Sequence, residues 1–514
     1  MSVTCQEMKR IEEAAFAAGA SAEALMEQAG EEMARAVMQF LPIPSECRVF
    51  FGKGHNGGDA LVAARHLLHQ GWAVQVQKTF PEGELAPLTR KKLGEFIATS
   101  RETCFSAPSS SYGPRILLDG LLGIGAIHRR GEPDGTALRE PILSAAREMN
   151  RQRREEGALV FALDVPTGLD ADTGEADPDT VRANVTLCVA FAKRGLLADG
   201  ALTSVGRLAV LPLPALEAHA RFVSPLETVA TPETLRPLLP MRPYDAHKGM
   251  FGRVGIVAGS RGFAGAAIMA ANSAVRGGAG LVTLFVTPDI YAPVAASAMP
   301  EVMVTPVDCY LAVLERPFDA LAIGPGLGRD DAEDVLAVCE YFTGPMVIDA
   351  DALNLLAGHM ETLHRARGPR LLTPHPGEMA RLFPEGAGLT RRETAERFLE
   401  THAQGDADVT LLLKGSRTLV ARRSPEGLRT SYNTTGHPGM ATGGMGDILT
   451  GLCAALLGQR LAPFDAARLG AWLCGRAAET ALVAGDHSQE TLAATDLLEY
   501  LGRAFREVRY RGTY

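Results

Sequence analysis

In ATGGMGDILTG (441–451), Gly443, Gly444 and Gly446 stand directly before Asp447 at the head of an apolar stretch. Glycine N–H groups at a helix start can bind the negative charge of a transferring phosphoryl group, and a carboxylate beside them can take the proton of an attacking hydroxyl. The bland alternative for Asp447 is a helix N-cap. A second glycine-rich segment, VFFGKGHNGGD (49–59), fits G-x-G-x-x-G through Gly52, Gly54 and Gly57 and leads from a strand into a helix. Such a turn lets backbone N–H groups approach a phosphate. By itself the pattern is weak. An ordinary dinucleotide fingerprint places an acidic residue about 20 positions further on, where Gln75, Val76, Gln77 and Lys78 stand, and Lys53 lacks the following Ser or Thr of a Walker A loop. An ordinary dehydrogenase is thereby disfavoured. Asp119 in ILLDGLLGIG, and Asp164 with Thr167 in ALDVPTGLDADTG, close two further apolar runs. Taken singly, each aspartate could equally serve a turn or a cap.

The elements that must position these groups follow from the apolar pattern. Residues 48–210 alternate RVFF, AVQVQ, RILLD, ALVFALD and VTLCVAF with helical stretches such as DALVAARHLLHQ. That alternation is the pattern of a parallel sheet covered by helices. In such a sheet the ligand crevice lies off the carboxyl ends of the strands, so the glycine loop and the carboxylates of Asp119 and Asp164 are expected to converge there. Residues 212–246 are dense in proline, which limits both helix and ladder pairing, and the domain boundary is expected there. A second series then begins with RVGIVAG, a helix over 264–276, GLVTLFV, ALAIG, MVIDA, RLLT and TLLLKG, and ends in helices that include 463–483. The expectation is two tandem three-layer α/β domains, 1–222 and 223–514. GSRGFAGAAIMAANSAVRGGAGLVT (259–283) reads as a packing motif first and a ligand-approach motif second. GPGLGR (324–329) and TPHPGE (373–378) follow strands and predict a second crevice.

The chain has 514 residues, 46% hydrophobic and 22% charged, with a net charge of −9. Disorder and coiled coil are poor fits, and no basic field exists to gather a polyanion, so nucleic acid is not an expected partner. The eight cysteines are scattered without a C-x-x-C pair, which argues against zinc or a disulfide framework and for a reducing compartment. Glu7, Lys9, Arg10, Glu12 and Glu13 interrupt the N-terminal stretch where a signal peptide needs an apolar run, and no run reaches the length of a spanning helix. A cytoplasmic location with no membrane partner is expected.

MEQAG (26–30), GKGHNGGDA, DGLLGIG, DVPTGLD and FAKRGL together resemble the NAD(P)HX epimerase domain of the bifunctional NAD(P)H-hydrate repair enzymes, over most of residues 1–220. From about residue 225 onward, HKGMFGRVGIVAGS, RGGAGLVT, GPGLG, IDADALN, TPHPGE, KGSRT and GHPGMATGGMGDILTG resemble their ribokinase-like, ADP-dependent dehydratase domain. The resemblance implies a Rossmann-like first domain and a ribokinase-like second one. It implies a potassium ion held by Asn56, Asp119 and Thr167, and an acid/base carboxylate at Asp164. It implies substrate contacts at His55, Asn56, Gly57, Gly58, Asp59 and Asp164 and in a loop of Gly123, Ile124, Gly125, Ala126, Ile127, His128 and Arg129. In the second domain it implies that Ala266, Gly326, His375 and Asp447 meet the hydrated dinucleotide. Lys414, Gly415, Ser416, Arg417, Thr418 and Gly446 would then meet ADP, with Mg2+. The implied activity interconverts R- and S-NAD(P)HX and dehydrates the S epimer, with ADP, to NAD(P)H, AMP and phosphate. The substrates would be NADHX and NADPHX, the state a homo-oligomer. His55, Ala60, Thr167 and His437 depart from the Asn, Gly, Ser and Asn usual in the family at those places. Lys193, in FAKRGL, is read equally as an aid to proton transfer or as a surface lysine. Two rival functions remain at this point: a ribokinase-like sugar or vitamin kinase fused to a nucleotide-binding domain, and an N-terminal domain that binds a nucleotide without turning it over.

Overall fold

The computed structural model describes residues 1–102, 113–125, 138–239, 241–404, 407–485 and 487–510. The chain divides into two compact units, Met1–Pro225 and a second that begins at Leu226.

The first unit is built on six parallel strands in the spatial order Ala73–Lys78, Glu46–Phe51, Ile116–Gly120, Leu159–Leu163, Val185–Val189 and Arg207–Leu211. The central strands read as continuous apolar runs because both faces are buried. Val49, Phe51, Leu118 and Phe161 face one core with residues of the helices Ala22–Phe40 and His55–His69. Phe50, Leu117 and Val160 face the other with the helix Ile142–Glu155. These are the three expected layers. From Glu46–Phe51 the chain steps outward to Ala73–Lys78, then returns across it to Ile116–Gly120. The switch point, where such sheets open a crevice, therefore lies at the ends of Glu46–Phe51 and Ile116–Gly120.

Glycines fix how closely the layers approach. A Cβ on Gly30 would stand 2.5 Å from Val62 Cβ, and one on Gly58 2.5 Å from the Met26 methyl. MEQAG thus seats Ala22–Phe40 on the helix that begins with the glycine loop. A short parallel pair, Ser2–Val3 with Ala192–Lys193, ties the N-terminus to the FAKRGL segment.

The second unit carries ten strands in the order Val302–Pro306, Leu281–Val286, Arg253–Val257, Ala320–Ile323, Met346–Ile348, Arg370–Leu372, Val409–Leu413, Leu419–Ser424, Gly427–Tyr432 and Glu227–Val229. All run parallel except Leu419–Ser424, which is antiparallel to both neighbours. Here the switch point falls between Arg253–Val257 and Ala320–Ile323. The helix Ala264–Arg276 packs its small residues against Met445–Gly458: a Cβ on Gly451 would meet the Ala270 carbonyl oxygen at 1.9 Å, and Ser273 Oγ donates to the Ile448 carbonyl at 2.6 Å. The proline-dense segment is not all connector. Glu227–Val229 joins the sheet edge, and Thr231 caps the short helix Pro232–Leu235, in which Pro232 occupies the first turn, where no N–H is needed. No helix of the described residues is long and apolar enough to cross a membrane.

Candidate functional site

In the first unit the strand ends assemble an oxygen-rich knot. Asp119 is fully buried and accepts from Thr167 N–H (2.8 Å), Thr167 Oγ1 (2.7 Å) and Leu121 N–H (3.3 Å). Burial raises its carboxyl to about 6 despite those three donors. Thr167 Oγ1 accepts from Leu122 N–H at 3.1 Å, and Asn56 Nδ2 donates to the Leu122 carbonyl at 2.8 Å. The Asn56 amide oxygen is left buried without a partner. An orphaned amide oxygen beside a hydroxyl and one buried carboxylate suits a hard cation of low charge. Among the described residues no cluster of three or more His, Cys, Asp or Glu could hold a metal ion, so a carboxylate cage for a divalent ion is not present there.

Glycine is enforced around this knot. A Cβ on Gly52 would lie 1.9 Å from the Leu121 carbonyl oxygen, and one on Gly57 2.1 Å from that of Gly52. Ala60 fills the space over Gly120, whose Cβ would come within 2.4 Å of Ala60 Cβ. His55 is exposed at the first turn of its helix, and Asp59 is half-buried, its carboxyl pushed well above the usual range by burial and by neighbouring Asp164 and Glu12. Gly123 lies against Asn56, since its Cβ would be 3.3 Å from Asn56 Cβ. Ile124 packs beside Val3, Met8 and Phe191. Gly125 is exposed, and Ala126, Ile127, His128 and Arg129 lie outside the described residues.

Asp164 sits in the left-handed region with φ +66°, a conformation that costs energy in a non-glycine residue and collects at functional sites. Its Oδ1 contacts the Lys193 ammonium and accepts from Val189 N–H at 3.4 Å. Lys193 is 1% exposed, so the surface-lysine reading does not hold.

In the second unit consecutive strands deliver one group each to the carboxyl edge: Gly326 after Ala320–Ile323, Asp349 after Met346–Ile348, His375 after Arg370–Leu372 and Lys414 after Val409–Leu413. Gly326 (φ +61°) lies against Ala266, its Cβ position 3.1 Å from Ala266 Cβ, and its carbonyl accepts from Ser260 Oγ at 2.8 Å. Lys414 Nζ pairs with Asp349 Oδ1 at 2.7 Å and lies 3.8 Å from Glu378 Oε2, while Asp349 Oδ2 accepts from Thr450 Oγ1 at 2.7 Å. Over this row the helix Met445–Gly458 begins. Its N-cap is Gly444 in the left-handed conformation (φ +89°), so Asp447 is not the cap. Gly446 comes close to the ion pair, a Cβ there falling 3.4 Å from Lys414 Nζ and 3.6 Å from Asp349 Oδ2. Burial, then the Asp349 charge, lifts the Asp447 carboxyl to about 7, with Lys414 opposing. A carboxylate poised there is matched to general-base work at neutral pH.

His375 and His437 both act as caps. His375 Nδ1 accepts from Gly377 N–H (3.0 Å), and Glu378 returns a bond to His375 N–H at 2.8 Å. His437 Nδ1 accepts from Gly439 N–H at 3.1 Å, a job that asparagine does equally well. Gly415 and Ser416 are exposed, Arg417 is buried with its carbonyl accepting from Arg391 at 2.7 Å, and Thr418 Oγ1 donates to the Gly415 carbonyl at 3.1 Å. Asp349, Glu378 and Thr450 were not singled out from sequence. The signal for Asp349 was its place at a strand end in IDADALN.

Family models match two stretches of the chain, "YjeF-related protein N-terminus" over residues 22–195 and "NAD(P)H-hydrate dehydratase" over residues 254–503. The bifunctional NAD(P)H-hydrate repair enzyme of Gloeobacter violaceus is 38% identical over 501 residues, 92% of this chain and 94% of that one. The chain belongs to the bifunctional NAD(P)H-hydrate repair enzymes. A further member, from Escherichia coli, is 33% identical across 96% of this chain and 91% of its own length. A solved Bacillus subtilis ADP/ATP-dependent NAD(P)H-hydrate dehydratase, crystallised with ATP and Mg2+, is 30% identical and covers 55% of this chain and 98% of its own, with a TM-score of 0.48.

Proposed function

We propose that this repair enzyme interconverts the R and S epimers of NADHX and NADPHX in its first unit and dehydrates the S epimer with ADP in its second. The observation that carries the second half is Asp447: a carboxylate with no hydrogen-bond partner among the described residues, in the first turn of a glycine-started helix, raised to about 7 and next to the Lys414–Asp349 pair. The C6 hydroxyl of the hydrate is a poor leaving group. Asp447 takes its proton as the oxygen attacks the β-phosphorus of ADP and the bond to AMP breaks; phosphate then leaves from C6 with the C–O electron pair while C5 loses a proton to solvent, which restores the C5=C6 double bond. NAD(P)H, AMP and phosphate balance the reaction. Lys414 and the Gly446 end of the helix stabilise the transferring charge, with Gly415, Ser416, Arg417 and Thr418 as the turn that receives ADP. Ala266, Gly326 and His375 line the dinucleotide side. When bound, Mg2+ neutralises diphosphate charge; lacking a carboxylate cage among the described residues, it would be held by phosphate oxygens and water.

In the first unit Asn56, Asp119 and Thr167 would hold the potassium ion, which when bound supplies positive charge beside the nicotinamide. Support comes from the orphaned Asn56 Oδ1 and the single buried carboxylate. Inversion at C6 needs a bond to that carbon to open and re-form on the other face, with one proton taken and returned. Asp164 is assigned that proton, and His55, Gly57, Gly58, Asp59 and the loop from Gly123 are assigned to holding the substrate. A cytoplasmic place of action and a homo-oligomeric state belong to the same proposal. Full-length Asp447→Ala is expected to lose dehydration by several orders of magnitude while still binding ADP. Near-normal turnover would remove Asp447 from its role.

A further inference from the structure

Lys193 has three ammonium protons and three partners. Nζ contacts Asp164 Oδ1, lies 3.3 Å from the Val189 carbonyl and 3.4 Å from Cys188 Sγ. The side chain is 1% exposed. Burial holds the Cys188 thiol protonated, pushed up to about 11; its proton faces the Phe191 carbonyl at 3.1 Å, with Asp164 Oδ1 further off at 3.8 Å, and a sulfur lone pair is left to accept from Lys193. An ammonium with every proton engaged has none to offer a substrate. Asp164 Oδ1 is likewise occupied, by Lys193 and by Val189 N–H, whereas among the described residues Oδ2 has no hydrogen-bond partner.

The Lys193 backbone is also held. Val3 pairs with Lys193 and Ser2 with Ala192 in a parallel ladder. The helix that follows, Cys5–Ala17, is anchored by Glu7 to Arg194 (3.3 Å), next to Lys193, and by Cys5 N–H to Asp172 (2.7 Å) in the loop after Leu159–Leu163. Met8 and Ile11 pack with Ala190 and Phe191. Most of this clamp lies before residue 22, where the family match of the domain begins.

We propose that Lys193 is a positioning residue of the epimerase site: clamped by the N-terminal strand, it holds Asp164 by Oδ1 so that Oδ2 is the oxygen presented to the hydrate. The assignment rests on the epimerase reading above. It replaces a role for Lys193 in proton transfer with one in orientation and charge. The ionisable groups around the pair are Asp59 on the glycine-loop helix, Glu12 and Cys5 on the N-terminal helix, and Cys188 on the neighbouring strand; the two thiols are held protonated by burial, and Lys193 is the cation set among the carboxyl groups.

Full-length Lys193→Met and Lys193→Arg test it, with R-to-S conversion as the readout and an unchanged cooperative melting transition of the first unit as the check on folding. Lys193→Met is expected to lower kcat for epimerisation about 100-fold with KM within about threefold, because binding contacts remain and the base is misdirected. Lys193→Arg should recover at least a tenth of the lost rate. An unaffected Lys193→Met, a KM that rises in step with the lost kcat, or no recovery in Lys193→Arg overturns the assignment. Failure of the unaltered protein to convert R to S would instead overturn the epimerase reading, and this assignment with it.

Discussion

Asp447 is expected to destabilise the domain it serves. Folding raises its carboxyl from the ordinary 3.8 to about 7, chiefly through burial and then through Asp349. The folded state therefore binds this proton more tightly than the unfolded chain does. Stability is greatest with the group protonated and falls as pH rises from about 4 through about 7, beyond which the full penalty persists. At 1.36 kcal/mol per pKa unit the limit is about 4 kcal/mol, and access of water to the partly exposed side chain reduces it to about 2 kcal/mol. Asp447→Asn keeps the shape and removes the charge. For a domain of this size it should raise the melting temperature at pH 8 by about 4 °C and leave it unchanged at pH 4. The assay is calorimetric melting of the full chain at both pH values, with the second unit's transition recognised by its shift with ADP. Pairwise comparison at each pH cancels every other titrating group. An asparagine variant no more stable at pH 8, or equally stabilised at both pH values, would refute the burial argument for Asp447.

Two further outcomes follow from the first unit. Gly120→Ala should destabilise it by about 1–3 kcal/mol, because the new methyl meets Ala60 Cβ at 2.4 Å, and adding Ala60→Gly should restore most of the loss in thermal melting. Potassium dependence of epimerisation should be steeply pH-sensitive: Asp119 protonates at about 6, so the apparent affinity for the ion should weaken as pH falls through that value, and a titration with the same affinity at pH 5 and pH 8 would remove Asp119 as a ligand.

The strand-end aspartates and glycines were legible in the sequence because a parallel sheet gives them one place to go. Asp119, Thr167 and Asn56 meet through Leu121 and Leu122, and the helices over 264–276 and 463–483 stand where periodicity put them. What was not legible depends on contacts far apart in the chain. The hairpin Leu419–Ser424 with Gly427–Tyr432 hides in the charged stretch ARRSPEGLRT, and the strand Glu227–Val229 hides among prolines. Two residues, Ser2 and Val3, carry too little pattern to announce a strand 190 positions away from its partner, and nothing local marks Lys193 as buried, since lysines are rarely so. Asp349 looked like any residue before a helix until Lys414 and Thr450 were seen on its two oxygens.

The decisive measurement supplies the full-length protein with R-NADHX, potassium, Mg2+ and ADP, and follows the dihydronicotinamide absorbance together with AMP and phosphate. Complete conversion is expected, with one AMP and one phosphate per NADH formed and no conversion when ADP is left out. Persistence of R-NADHX, or NADH appearing without AMP, would contradict the two-step repair derived from Asp164 and Asp447.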